Sequence, residues 1–138
     1  LFMLPDGGHG ILDLTYVDNL VDAVLLTLEK DATGEAFNIT DGTPMEARDF
    51  FRHHLDWLGR ERLLTLPSWL LRPVFAVIET AFRMFGMQPP ATVAAMEFVN
   101  KPHPYSNAKI TELGHEPRVS FDGAMERTRA WARRERLI

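Results

Sequence analysis

An α/β fold that becomes mostly helical after its first third is what the sequence predicts, and three observations predict it. Residues 1–43 place short apolar, partly β-branched runs on either side of one long amphipathic stretch. From Pro44 onward, apolar residues recur at helical spacing. Connections rich in Gly, Pro and Asp separate the runs. The 138 residues, 46% hydrophobic and 25% charged, suit one domain or a piece of a larger one and exclude wholesale disorder.

The elements follow in order. Leu1–Leu4 reads as a strand closed by the turn Pro5–Gly10, and Ile11–Val17 as a second strand. Asp18 is placed to N-cap a helix over Asn19–Lys30, whose Leu20, Val21, Val24, Leu25 and Leu28 predict one wide buried face. Glu35–Thr40 reads as a strand that stops at Asp41-Gly42. Strand, helix, strand implies a parallel pair with a right-handed crossover. A helix over Pro44–Leu58 turns Phe50, Phe51, Leu55 and Leu58 inward and ends at Gly59. Arg62–Leu66 is extended; Ser68 caps the most apolar helix, Trp69 to Phe85; further helices cover Ala91–Val99, Ser106–Leu113 and Asp122–Arg136.

Charge and composition narrow the function classes. The net charge is -4, and it divides unevenly: residues 1–56 carry eleven acids against three bases, and residues 57–138 eight acids against twelve bases. No global basic field exists to hold phosphates, so nucleic acid is not an expected partner. With no cysteine there is no disulfide framework, thiolate zinc site or cysteine nucleophile, which fits a cytoplasmic location. No secretory leader pattern is present, and a chain opening on Leu1-Phe2-Met3-Leu4 reads as cut from something longer.

Four segments carry a resemblance. Asp13-Leu14-Thr15-Tyr16-Val17-Asp18-Asn19 through Ala23, then Gly34-Glu35-Ala36-Phe37-Asn38-Ile39, then Tyr105-Ser106-Asn107-Ala108-Lys109 with Leu113-Gly114-His115-Glu116-Pro117, and the closing Ala124–Trp131 follow one another as they do in the back portion of the extended short-chain dehydrogenase/reductases. The wording at Tyr16–Ala23 most resembles the 3β-hydroxysteroid dehydrogenase-like branch of this NAD-dependent epimerase/dehydratase superfamily. The resemblance implies that residues 1–43 close a Rossmann-like nucleotide-binding domain (strand, strand, helix, strand). It makes residues 44–138 a mostly helical substrate-binding subdomain. It also implies an oxidoreductase acting on the hydroxyl or keto group of an apolar, sterol-like molecule. NAD or NADP would belong to the full-length protein, bound by a missing N-terminal portion that carries the catalytic groups, with no cofactor or catalytic residue in this chain. Two alternatives stay open: a stand-alone binding or scaffold domain, and a fragment of a nucleotide-sugar epimerase or dehydratase.

Several constellations resemble sites. Gly7-Gly8-His9-Gly10 lies between two strands, whereas a dinucleotide cradle needs its glycines at a helix start; a hairpin-like turn is expected. Tyr105-x-x-x-Lys109 has the spacing of a catalytic pair, but it follows Pro-His-Pro on a helix that ends at Gly114, so it reads as a decoy. The five histidines lack metal-ligand spacing, and solvated or capping roles are expected. The arginines at 127–136 read as a solvated face.

For substrate binding, Leu12, Tyr16, Trp69, Phe75 and Phe82 are the candidates. Ile11-Leu12 stand where nucleotide-sugar enzymes of the family typically place an arginine, which favours an apolar substrate. Trp69–Met87 carries only a narrow polar edge, Arg72, Ala76, Glu79 and Arg83, and suits a core helix, a pocket wall or a weak membrane-surface contact. A homodimer is a further partner reading.

Overall fold

The computed structural model describes residues 3–60, 62–90 and 92–138. Along the chain run β1 (Met3–Pro5), β2 (Ile11–Leu12), α1 (Val17–Glu29), β3 (Met45–Glu46), α2 (Ala47–Trp57), β4 (Leu64–Leu66), α3 (Ser68–Met84), α4 (Val93–Val99), α5 (Ala108–Glu112) and α6 (Phe121–Arg134). The mixed α/β class stands. Two compact units form, one from the residues up to Leu12 with Met45–His103, the other from Asp13–Pro44 with Pro104–Ile138. Each unit thus draws on both sides of position 43.

In the first unit β1 pairs in parallel with β4, Leu4 opposite Thr65, and β2 pairs antiparallel with β3, Leu12 opposite Met45. Leu4, Leu12, Ala47, Leu55, Leu71 and Met96 form its buried apolar core. The turn after β1 is therefore not a hairpin, because the strands it joins have different partners. Asp6, Gly7 and Gly8 all take left-handed φ values (46°, 78° and 73°) and turn the chain away from β1. Gly10 lies so close to the end of α4 that a Cβ there would sit 2.0 Å from the Val99 carbonyl oxygen. Leu58 does not turn inward as the periodicity predicts: it caps α2 and is exposed, while Leu55 is buried. Leu1, Phe2 and Ala91, assigned to elements from sequence, lie outside the described residues.

Ser68 does not cap α3 with its own side chain. Its backbone N–H is taken by Asp6 Oδ1 at 2.8 Å, and Asp6 Oδ2 accepts Asn100 Nδ2 at 2.9 Å. The backbone donor of Ser68, then the Ser68 hydroxyl, and more weakly Asn100 hold the Asp6 carboxyl below its ordinary pKa. A depressed folded-state value contributes stability that is present above about pH 4 and is lost as pH falls through the lowered value. Asp6→Asn, which tolerates the same left-handed backbone, is expected to remove this part of the acid limb in urea unfolding measured across pH. Equal pH slopes in the two proteins would refute the assignment.

In the second unit α1 begins at Val17, two residues earlier than its sequence cap suggests. Its first turn is closed from a distance, the Tyr16 N–H donating to Asp41 Oδ2 at 2.8 Å, while Asp18 pairs with Arg127 at 2.9 Å. The helix also turns the other way from the predicted one. Asn19 and Ala23 are buried, and Val17, Leu20, Val21, Val24, Leu25 and Leu28 are exposed. Apolar side chains cover more than half of the circumference of α1, and the unit supplies cover for one side only.

Glu35–Thr40 makes no ladder, and neither does Asp13–Tyr16, so the parallel strand–helix–strand pair is corrected. A strand needs a neighbouring edge. Here side chains take that place: Thr15 Oγ1 donates to the Ile39 carbonyl (2.8 Å), Lys109 Nζ to that of Ala36 (3.0 Å) and Asn107 Nδ2 to that of Thr40 (3.2 Å). Ile110, Val119, Ala124 and Ala132 complete the buried interior with Asn19, Thr40 and His115.

Candidate functional site

The five candidate substrate residues fall in different surroundings. In the first unit Leu12 is buried in β2 against Met45. On α3, Phe75 and Phe82 are half-buried on the side that carries buried Leu71, whereas Trp69 lies about 120–140° further round at 100° per residue and is 73% exposed. Phe75 and Phe82 thus share a face that Trp69 does not. Tyr16, in the second unit, is half-buried in a groove of about 620 Å³ with Val17, Arg127, Thr128, Trp131 and Arg134. The Arg127 guanidinium lies 6.0 Å from the Tyr16 ring centroid, within cation–π range. A second groove, of about 390 Å³, runs along the outer side of α3 over Ala76, Val77, Thr80, Ala81 and Met84. Both can receive an apolar body; only the Tyr16 groove also presents charge.

Two of the look-alike sites have structural uses. Lys109 Nζ lies 2.6 Å from Glu35 Oε2 and 4.7 Å from the Phe37 ring centroid, so it pins the 35–37 segment. Its hydrogen bond and charge hold the Glu35 carboxyl below its ordinary pKa. The glycine turn does not fit a dinucleotide. Gly8 is packed against Leu4 and Arg48, Gly10 against Val99 and Asn100, and the turn leads into β2 where a phosphate cradle leads into a helix. The N-terminus of α1 faces the carboxylate of Asp41.

Among the histidines, His9 Nδ1 lies 3.1 Å from Glu46 Oε2, and His54 Nδ1 is 2.9 Å from the Phe50 carbonyl. His115 departs from the solvated or capping role: it is buried, and its Nε2 has no hydrogen-bond partner. Among the described residues no three His, Cys, Asp or Glu side chains group as a metal site. Asn19 is the residue whose importance the sequence does not announce. It is fully buried and holds both backbone groups of Val119, Nδ2 donating to the carbonyl and Oδ1 accepting the N–H, each at 2.9 Å. Its one signal is a polar residue four positions before the small apolar Ala23.

No protein-family model matches the chain. Among curated proteins it is 28% identical over 137 residues to the uncharacterized protein YbjS of Escherichia coli, covering 95% of this chain and 41% of YbjS. It is 30% identical over 138 residues to the mouse sterol-4-alpha-carboxylate 3-dehydrogenase, decarboxylating, covering 92% of this chain and 38% of that protein. The chain is homologous to part of the extended short-chain dehydrogenase/reductases. Of the solved structures, gox2253 superposes with a TM-score of 0.61 at 28% identity, covering 91% of this chain and 38% of gox2253. The UDP-glucose 4-epimerase of Thermotoga maritima does so at 0.59 and 21% identity, over 97% and 35%, which shows the shared fold alone. The chain therefore spans well under half the length of these relatives.

Proposed function

We propose that the chain is the substrate-side portion of an NAD(P)-dependent short-chain oxidoreductase that acts on the hydroxyl or keto group of an apolar, sterol-like molecule. The observation that supports it most is the homology to a sterol dehydrogenase over 92% of the chain. In this reading residues 1–43 close the nucleotide-binding domain and residues 44–138 bind substrate. On α3, Phe75 and Phe82 are the candidates for apolar contact and Trp69 is an exposed aromatic on another side of the helix; in the second unit, Tyr16 offers a phenol beside its own groove. Hydride exchange with the nicotinamide is supplied by groups upstream of Leu1. The uncharged Ile11-Leu12 pair favours this over a nucleotide-sugar substrate, whose diphosphate calls for a cation.

The test is the longer protein. The coding sequence upstream of Leu1 is expected to encode a Gly-rich strand-to-helix turn and a Tyr-x-x-x-Lys pair. The product is expected to reduce NAD or NADP with a 3β-hydroxysteroid and not to act on UDP-glucose. The 138-residue chain alone is expected to show no saturable NADH or NADPH quenching of Trp57, Trp69 and Trp131. Turnover of UDP-glucose, or a start codon immediately before Leu1, would overturn the proposal.

A further inference from the structure

The groove beside Tyr16 presents hydrogen-bond donors that the protein leaves unused. On α6, Arg127, Trp131 and Arg134 stand at i, i+4 and i+7 and share one stripe, and Tyr16 and Val17 at the start of α1 face it across the groove, all within the second unit. The volume of about 620 Å³ falls in the range of small-molecule sites. Val17 and Trp131, 59% and 48% exposed, give it apolar walls. Its polar atoms are one-sided. Among the described residues neither the Tyr16 hydroxyl nor the Trp131 indole N–H has a hydrogen-bond partner. Arg127 gives a single N–H to Asp18 at 2.9 Å, and Arg134 a single one to Glu135 at 3.4 Å, so most of each guanidinium fork stays unengaged. The Thr128 hydroxyl donates its proton to the Ala124 carbonyl at 2.7 Å.

We propose that this groove binds a flat apolar molecule carrying one carboxylate. The ion pairs decide the charge. Asp18 and Glu135 balance Arg127 and Arg134, so the groove has donors to spare and no positive charge to spare. That combination suits a group with several acceptor lone pairs and a single negative charge. A carboxylate meets it, its two coplanar oxygens matching a guanidinium fork. A phosphate dianion calls for cations that no carboxylate already holds. An ammonium finds few acceptors here, and a wholly apolar ligand would strip water from the donors without replacing it. The walls decide the body. One face of the Tyr16 ring is taken by the Arg127 guanidinium, 6.0 Å from the ring centroid, which leaves the Trp131 indole as the surface on which a flat ring stacks. No residue of α3 is in the described lining, and the inference does not rest on the substrate reading.

Proton–nitrogen correlation NMR tests it, because Trp57, Trp69 and Trp131 each report through an indole N–H and only Trp131 lines the groove. Naphthoate is expected to move the Trp131 peak saturably and to leave those of Trp57 and Trp69 in place. Naphthylmethylammonium should move none of them, and naphthyl phosphate should bind no tighter than naphthoate. Arg134→Met should weaken naphthoate about fivefold by removing donors. Val17→Glu sets a carboxylate in the groove at a helix start, where an acid is tolerated, and should abolish binding. If that variant fails to fold, Arg134→Met decides the matter, since its side chain is 73% exposed. Val24→Glu with Leu28→Glu should leave binding intact and so separates the groove from the apolar face of α1. No shift, equal shifts of all three peaks, binding of the ammonium or tighter binding of the phosphate would overturn the proposal. So would unchanged affinity in Arg134→Met or in a folded Val17→Glu, and loss of the shift in the α1 variant or in a longer protein that folds.

Discussion

Asn19→Ala is expected to cost about 2–6 kcal/mol of unfolding free energy, because it strands two buried backbone groups at about 1–3 kcal/mol each. The Asn19 amide closes a ring of two hydrogen bonds on the N–H and carbonyl of Val119, both at 2.9 Å, and Asn19 is 0% and Val119 5% exposed. No water can replace the lost partner without opening the unit. Asn19→Asp keeps an acceptor for the Val119 N–H but sets a carboxylate oxygen against the Val119 carbonyl, so it should be at least as damaging. Against a total stability of about 5–15 kcal/mol, either change removes a large fraction. Urea unfolding followed by circular dichroism measures it. A loss below about 1 kcal/mol would mean that the 100-residue link between α1 and the segment before α6 is not holding the unit together.

That link also shows what the sequence could and could not disclose. Helices were legible wherever apolar spacing was dense: α1, α2, α3, α4 and α6 all lie where periodicity puts them, with ends shifted by a residue or a few. What periodicity cannot supply is which side of a helix finds cover. α1 and α3 are apolar around most of their circumference, so the pattern fixed neither buried face; for α1 the predicted one points outward, and Asn19-Ala23 points in. Strand pairing was the least legible. β2 meets β3, 33 residues or more further on, and β1 meets β4, while Glu35–Thr40 has strand-like composition and no edge to pair with. Capping by distant carboxylates, Asp6 for α3 and Asp41 for α1, likewise leaves no local trace. The candidate site was legible as residue types and as a family resemblance. Its geometry was not, because Trp69 and Phe75 are six residues apart yet face different ways.

The second large effect is expected in association. Val17, Leu20, Val21, Val24, Leu25 and Leu28 form an exposed apolar face on α1, with Leu28 72% exposed. Each such side chain forgoes much of the roughly 1.5–3 kcal/mol that full burial would contribute. Contiguous apolar surface of this kind marks an interaction site or an aggregation hazard. The face is about 20 Å long, too small for a tight dimer, so the expected behaviour is weak, concentration-dependent self-association of the isolated chain with a broad melting transition. Sedimentation velocity over a wide concentration range should show the average mass rising. Val24→Glu with Leu28→Glu should hold it at the monomer value with only a small loss of melting temperature, since Val24 is 45% and Leu28 72% exposed. The curated relatives are more than twice as long as this chain, and a longer protein that includes the upstream residues is expected to bury the face and stay monodisperse there without substitution. A sharply melting monomer at every concentration would instead mean that the unit is complete with this face in water, and would favour a stand-alone binding domain over a portion of an oxidoreductase.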